Sequence, residues 1–252
     1  EFDRVLGGGI VSGSVVLIGG NPGAGKSTLL LQTVGRLCLN HKVLYVTGEE
    51  SLQQVALRAN RLKIQANNIR IAAETSIDTI CEMASKERPE VLIVDSIQVM
   101  HVTGIESAPG SVSQVREGAA ALTQFAKRTG IAVFMVGHVT KDGTLAGPKI
   151  LEHCVDCSVI LEAGTDMRYR TLRCQKNRFG AVNEIGVFAM TDTGLKEVKN
   201  PSAIFLNRQE TVAPGSLAMV TWEGTRPLLV ELQALVDLSL YSNPRRLSLG
   251  TD

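Results

Sequence analysis

The chain has 252 residues, 44% of them hydrophobic and 20% charged, enough apolar material for one large buried core or for one domain and part of another. A net charge of +1 excludes a global field that would draw the chain to nucleic acid, so any such affinity must come from local patches. Aromatic residues at 4% argue against a base-stacking platform, and the absence of membrane-length apolar runs or a signal-peptide pattern predicts a cytoplasmic chain with no membrane partner.

The opening Glu1–Phe2–Asp3–Arg4 lacks an initiator Met, so the chain reads as cut from something longer. Ser14–Ile18 predicts a short buried strand. Gly20–Asn21–Pro22–Gly23–Ala24–Gly25–Lys26–Ser27 follows it and meets every fixed position of the phosphate-loop pattern G-x-x-x-x-G-K-[ST]. Ser27–Val34 then reads as the first turns of a helix. Glycines let the backbone wrap an anion, so residues Asn21, Pro22, Gly23, Ala24, Gly25, Lys26, Ser27 and Thr28 form the expected nucleotide-binding set. Lys26 reaches the β- and γ-phosphates and the Ser27 hydroxyl ligates Mg²⁺, which makes ATP or ADP with Mg²⁺ the expected cofactors.

Strand-length apolar runs recur at Val43–Val46, Val91–Val94, Ala132–Val136 and Val159–Leu161, with helical composition at about residues 25–39, 51–62, 76–87 and 111–129. Continuous apolar strands alternating with amphipathic helices predict an α/β fold with a mostly parallel sheet covered on both faces. Ligands of such sheets bind at the carboxyl ends of the strands, and polar residues gather there. Glu49 and Glu50 follow the second strand, where a hydrolase needs an acid to orient water; Glu49 is expected to do so. Glu50 is either its helper or the start of the next helix. Asp95 ends Val91–Leu92–Ile93–Val94 and is expected to hold Mg²⁺ opposite Ser27, the bland alternative being a cap for the next segment. His138 follows Ala132–Val136 and either senses the γ-phosphate or is a satisfied structural histidine. The glycine-rich stretches His101–Ser111 and Asp142–Lys149 are solvent tails or loops that close around a polymer.

Cys154 and Cys157 have C-x-x-C spacing, but no second pair completes a zinc site, and ordinary buried thiols are expected there and at Cys38, Cys81 and Cys174. From Tyr169 the pattern turns antiparallel, with strands at residues 168–176 and 185–190 and a turn around Asn177–Gly180. On an unbroken strand a period of two sets Arg168, Arg170, Lys176 and Arg178 on one face, either solvated or presented to a neighbouring subunit's nucleotide. The expected division is a core over residues 1–197, a linker over 198–211 containing Pro201, and the start of a second domain over 212–252, since its two strands cannot bury a core alone.

Lys176–Asn177–Arg178–Phe179–Gly180 is a K-N-R-F-G pentapeptide. It occurs here with G-G-N-P-G-A-G-K-S-T, T-G-E-E-S and L-I-V-D-S-I-Q. In this combination the chain closely resembles the bacterial RadA (Sms) family of RecA-like ATPases, from Phe2–Gly9 to the Asn243–Arg246 region. The resemblance implies a RecA-like P-loop ATPase core followed by the beginning of a Lon-protease-like domain at 212–252. It implies a homo-hexameric ring with Mg²⁺-dependent, DNA-stimulated ATP hydrolysis. Such a ring is a helicase-like translocase on single-stranded or branched DNA that promotes branch migration in recombinational repair. The bacterial cytoplasm and nucleoid are its implied setting, with a recombinase of the RecA type and replication proteins as partners. Lys176 and Arg178 then act catalytically on the nucleotide across the subunit interface or couple it to DNA, and the loops near 101–113 and 141–151 line the DNA channel. Family members carry a four-cysteine zinc finger before the position of Phe2; here the finger is absent and the Lon-like part stops early, with no proteolysis expected of it. Two rivals remain: a DNA-independent signalling or timing ATPase of the KaiC type, which shares the Glu pair, and a nucleotide-gated clamp that does not turn over.

Overall fold

In the computed structural model, residues 1–65, 69–138, 150–164, 168–206, 214–238 and 246–249 are described. The elements are α1 Phe2–Val5, β1 Val15–Gly19, α2 Lys26–Leu37, β2 Val43–Thr47, α3 Leu52–Arg61, β3 Ile69–Ala73, α4 Ile77–Glu87, β4 Val91–Asp95, α5 Val112–Thr129 and β5 Ala132–Val136. They continue with α6 Ile150–Cys154, β6 Cys157–Ala163, β7 Tyr169–Asn177, β8 Ile185–Thr191, β9 Gly194–Glu197, α7 Ser202–Phe205, β10 Ser216–Glu223 and β11 Arg226–Gln233. The chain divides into one unit of Glu1–Lys199 with Glu223–Thr225, and a second of Asn200–Trp222 with Arg226–Asp252.

The first unit is built on a nine-stranded sheet in the order β3-β2-β4-β5-β1-β6-β7-β8-β9. Strands β1 to β6 run parallel to one another, and β7, β8 and β9 extend the sheet antiparallel from β6. The central strands are apolar throughout because both faces are covered. Val16, Ile18, Tyr45, Ile93 and Phe134 pack with Leu30, Leu31 and Val34 of α2 and with Val55 of α3. Leu17, Leu44, Leu92, Val133 and Met135 point the other way, into Ile77 and Ile80 of α4 and Ala119, Leu122 and Phe125 of α5. The helices start where serines supply caps: Ser51, Ser76 and Ser111 accept from the backbone of Gln54, Thr79 and Gln114.

Three features depart from the sequence reading. Strand β3 is unanticipated because, as an edge strand carrying Arg70, it is only half buried and lacks a continuous apolar run. The cationic face on β7 does not exist as expected. Val159 pairs with Cys174 but Ser158 with Lys176, so one extra residue, Gln175, is inserted and the side-chain alternation flips. Arg170 keeps its place on the buried face with Leu172 and Cys174, while Lys176, beyond the extra residue, points to the other side. Third, the stretch at 101–111 is tethered rather than a solvent tail. The buried Gln114 amide donates to the carbonyls of Ile105 (3.1 Å) and Ser107 (2.9 Å) and accepts from Val102 N–H (2.9 Å). The stretch Val139–Lys149 lies outside the described residues.

The second unit contains α7, which falls within the segment expected to be a linker, and the hairpin β10–β11. Ser202 accepts from Leu229 N–H at 3.1 Å, which ties α7 to β11. Leu217, Val220 and Trp222 of β10 are exposed, as two strands alone have no second layer to cover them.

Candidate active site

A cleft of about 380 Å³ opens at the carboxyl ends of the central strands. Its lining includes Pro22, Gly23, Gly25, Lys26, Ser27 and Thr28 from the loop after β1, Glu49 and Glu50 after β2, Asp95 at the end of β4, and His138 beyond β5. Adjacent parallel strands bring their last residues side by side, which is why Thr47 pairs with Asp95 and Ile18 with Val136. The loop after β1 turns into α2 through Gly25 at φ 106°, a left-handed conformation open to glycine at little cost.

Lys26 is buried and folds back over its own loop. Its ammonium donates to the carbonyls of Gly20 (2.7 Å) and Asn21 (3.1 Å) and stands 3.2 Å from Nδ1 of His138. Burial pushes its pKa below the ordinary value, against the opposing pull of Asp95 and Glu49. His138 Nε2 in turn lies 3.1 Å from Glu49 Oε1, and the Ser96 hydroxyl donates to the same oxygen. Burial alone would raise the Glu49 carboxyl, but hydrogen bonds from Ser96 and His138, with the charge of Lys26, bring it below its ordinary value. A continuous polar line therefore runs from the phosphate loop through Lys26 and His138 to Glu49 and Ser96.

Asp95 is buried and accepts the Tyr45 hydroxyl at 2.6 Å. Burial and the Asp95 carboxylate push the Tyr45 pKa well above its ordinary value, so the phenol stays a donor. Glu50 stands just before the Ser51 cap of α3 rather than inside the helix, and its carboxylate pairs with Arg58. Arg58 and Arg61 of α3 both line the cleft. The sequence reading singles out neither these two arginines nor Tyr45 and Ser96. A tyrosine tip within an aliphatic strand, and arginines one helical turn apart just after the acidic pair, are the available signals.

Lys176 and Arg178 are not brought to this cleft. β7 runs antiparallel to β6, and its end pairs Asn177 with Cys157, which itself pairs with Val16 near the start of β1. Arg178, beside Asp156 at the start of β6, is roughly 13 Å of strand rise from the carboxyl end of β1, and Lys176, paired with Ser158, is about 7 Å from it with its ammonium turned toward the amino-terminal side. Arg178 Nη1 donates to Asp156 Oδ1 at 2.8 Å, and Asp156 Oδ2 accepts from Val15 N–H at 3.0 Å. Lys176 donates to the carbonyls of Glu152 and His153 at the end of α6. Arg173 is exposed, 4.0 Å from Glu162, and Arg168 is exposed as well.

All five cysteines are free thiols; Cys38, Cys157 and Cys174 are buried, Cys81 and Cys154 partly so. The neighbouring Cys174 thiol of β7, together with burial, drives the Cys157 pKa far up. Burial also pushes Cys81 up to about 11. Among the described residues no group of three or more His, Cys, Asp or Glu side chains is placed to hold a metal, and no helix is long and apolar enough to cross a membrane.

The family model described as an AAA domain matches residues 2–144. All of the chain aligns with proteins named DNA repair protein RadA. It is 66% identical to the one from Escherichia coli (strain K12), 60% to that of Pseudomonas aeruginosa and 50% to that of Bacillus subtilis (strain 168). Each alignment covers 100% of this chain but 55%, 56% and 55% of the respective relative, so the chain spans about half the length of the curated relatives it matches. Among solved structures, an isolated ATPase domain superposes with a TM-score of 0.69 at 14% identity, covering 79% of this chain and 89% of that one. A KaiC-like protein from Pyrococcus horikoshii OT3 superposes with a TM-score of 0.64 at 18% identity, covering 78% and 94%. At these identities the two structures speak for the fold alone. The resemblance to RadA carried by the K-N-R-F-G element and the phosphate loop extends over the whole length, and the chain belongs to the AAA domain family with a RecA-like α/β core.

Proposed function

We propose that the chain is the ATP-hydrolysing core of a DNA repair motor. The observation that carries the hydrolase reading is the convergence of Lys26, Ser27, Glu49 and Asp95 on one cleft. Backbone N–H groups of Gly23, Gly25, Lys26, Ser27 and Thr28 and the Lys26 ammonium hold the β- and γ-phosphates. The donors fit Mg²⁺: a Ser27 hydroxyl and an Asp95 carboxylate are hard oxygen ligands, and this ion is commonly held by one or two carboxylates together with substrate phosphates. When bound, Mg²⁺ neutralises charge on the phosphates. Glu49 orients the attacking water and takes its proton; Ser96 and His138 hold the carboxylate in place for that task.

The DNA half of the proposal comes from relatives named DNA repair protein RadA, 66% identical over the whole chain. In this reading the protein works as a homo-hexameric ring in the bacterial cytoplasm, at the nucleoid. It translocates on single-stranded or branched DNA and promotes branch migration beside a RecA-type recombinase. Lys176 and Arg178, turned away from their own cleft, act on the nucleotide of the next subunit. The loop near 101–113 faces the DNA; the second loop expected to do so, near 141–151, lies mostly outside the described residues.

The test is steady-state ATP hydrolysis with and without single-stranded DNA, at low and moderate salt. Stimulation that falls as salt rises supports a DNA motor, because backbone contacts release counterions. Hydrolysis with no response to DNA removes the motor reading for this core, and absence of multiple turnover removes the enzyme reading.

A further inference from the structure

We propose that Arg170 is a positioning residue of the phosphate loop: a buried guanidinium that fixes the Ala24 carbonyl and thereby aims the loop's N–H groups. The role rests on the cleft being a nucleotide site.

A loop that cradles phosphate must turn its N–H groups inward, which turns carbonyls outward, toward the protein. Pro22, Gly23, Ala24 and Gly25 have little side-chain material with which to hold such a shape. Orientation has to be imposed from behind, and β7 does so. Arg170 is 4% exposed, and its Nε donates to Ala24 O at 2.9 Å while Nη1 donates to Tyr169 O at 2.9 Å. Ala24 is 2% exposed, so its carbonyl depends on a protein donor. A guanidinium also stays charged at any working pH, and it places a permanent cation behind the site where a polyphosphate is expected.

The neighbouring strands complete a back wall. Met190 of β8 reaches within 2.8 Å of where a Cβ on Gly25 would stand. Gln32 of α2 both donates to Leu195 O (3.2 Å) and accepts from Leu195 N–H (2.8 Å), so the helix that follows the loop is pinned to β9. The antiparallel extension of the sheet thus supports the loop, and Arg170 is the side chain through which it grips a loop carbonyl directly.

The experiment uses Arg170→Met and Arg170→Lys, with ADP affinity from titration of a fluorescent ADP analogue, ATP turnover, and the nucleotide-free melting temperature. Arg170→Met is expected to weaken ADP binding and raise KM for ATP by about tenfold, with kcat within about threefold, the pattern of lost phosphate binding. Arg170→Lys, which keeps the charge but not the fork, should recover part of that loss. A variant that melts lower yet binds ADP like the parent well below its melting point overturns the proposal and leaves Arg170 a purely structural residue. If Arg170→Met does not fold, Arg170→Lys decides: unchanged ADP affinity overturns the proposal, and a loss of about threefold or more supports it. A parent protein that binds no ADP would instead remove the nucleotide reading itself.

Discussion

Lys26 Nζ and His138 Nδ1 stand 3.2 Å apart, joining the phosphate loop to the end of β5. An ammonium only donates, so Nδ1 accepts and Nε2 carries the hydrogen given to Glu49. With the carbonyls of Gly20 and Asn21, His138 uses all three ammonium hydrogens. A γ-phosphate approaching Lys26 must therefore displace one of these partners, and His138, the one that is not part of the loop, is the natural one to yield. Its release reaches Glu49 directly. His138→Ala should lower kcat about tenfold or more with a smaller change in KM, while His138→Gln, which keeps an acceptor and a donor, should retain more activity. Undiminished kcat in His138→Ala would show that the bridge does not matter to turnover.

Glu49→Gln should keep ATP binding and reduce hydrolysis about 10²-fold or more, because the amide cannot take a proton from water. Lys26→Ala should lose both binding and turnover with the fold intact. Single-turnover hydrolysis and nucleotide titration separate the two outcomes. Normal hydrolysis by Glu49→Gln would remove the assigned mechanism.

The lowered pKa of Glu49 gives a pH signature in stability. Its folded value lies below the ordinary 4.5, so over that window the unfolded chain binds more protons. The contribution is complete above pH 4.5 and is lost as pH falls through the folded value. As pH falls below about 5, the melting-temperature margin of the parent over Glu49→Gln should therefore shrink, other carboxylates cancelling between the two proteins. A difference unchanged across that acid range would contradict this account.

The parallel half of the fold is legible in the sequence because strands covered on both faces must be apolar throughout, and because parallel strands bring the residues after them to one edge. Glu49, Asp95 and His138 can be placed together on that ground. What is not legible depends on register. Tyr45 meets Asp95 only because β2 lies beside β4, and nothing in either segment names the other. The extra residue at Gln175 leaves no mark in composition, yet it parts Lys176 from the face that carries Arg170, Leu172 and Cys174. Edge strand β3, half exposed, has its short apolar run broken by Arg70 and so shows no continuous strand pattern.

Arg178 sits at the sheet edge opposite the cleft and Lys176 turns its ammonium toward that side, so if they act on nucleotide they do so in a neighbour. Arg178→Ala should leave ADP affinity unchanged and reduce turnover at least tenfold. Mixing inactive Arg178→Ala with inactive Glu49→Gln should restore part of the activity, since a junction taking Glu49 from one and Arg178 from the other is intact. No recovery from well-mixed subunits would argue against action in trans.

The hydroxyl of Tyr45 has a single evident task, to hold Asp95. Tyr45→Phe keeps the ring in the core and leaves Asp95 Oδ2, in a buried carboxylate, without that donor. An unmet buried acceptor costs about 1–3 kcal/mol, so the nucleotide-free protein should melt lower. The larger effect should fall on metal use. A ligating carboxylate freed from its supporting hydrogen bond typically binds its ion about 10- to 100-fold less tightly. The Mg²⁺ concentration for half-maximal ATP hydrolysis should rise by that order in Tyr45→Phe, with kcat recovered at saturating Mg²⁺. If the Mg²⁺ dependence is unchanged while the melting temperature falls, Tyr45 supports the sheet and not the metal, and Asp95 would lose its best structural argument as the ligand.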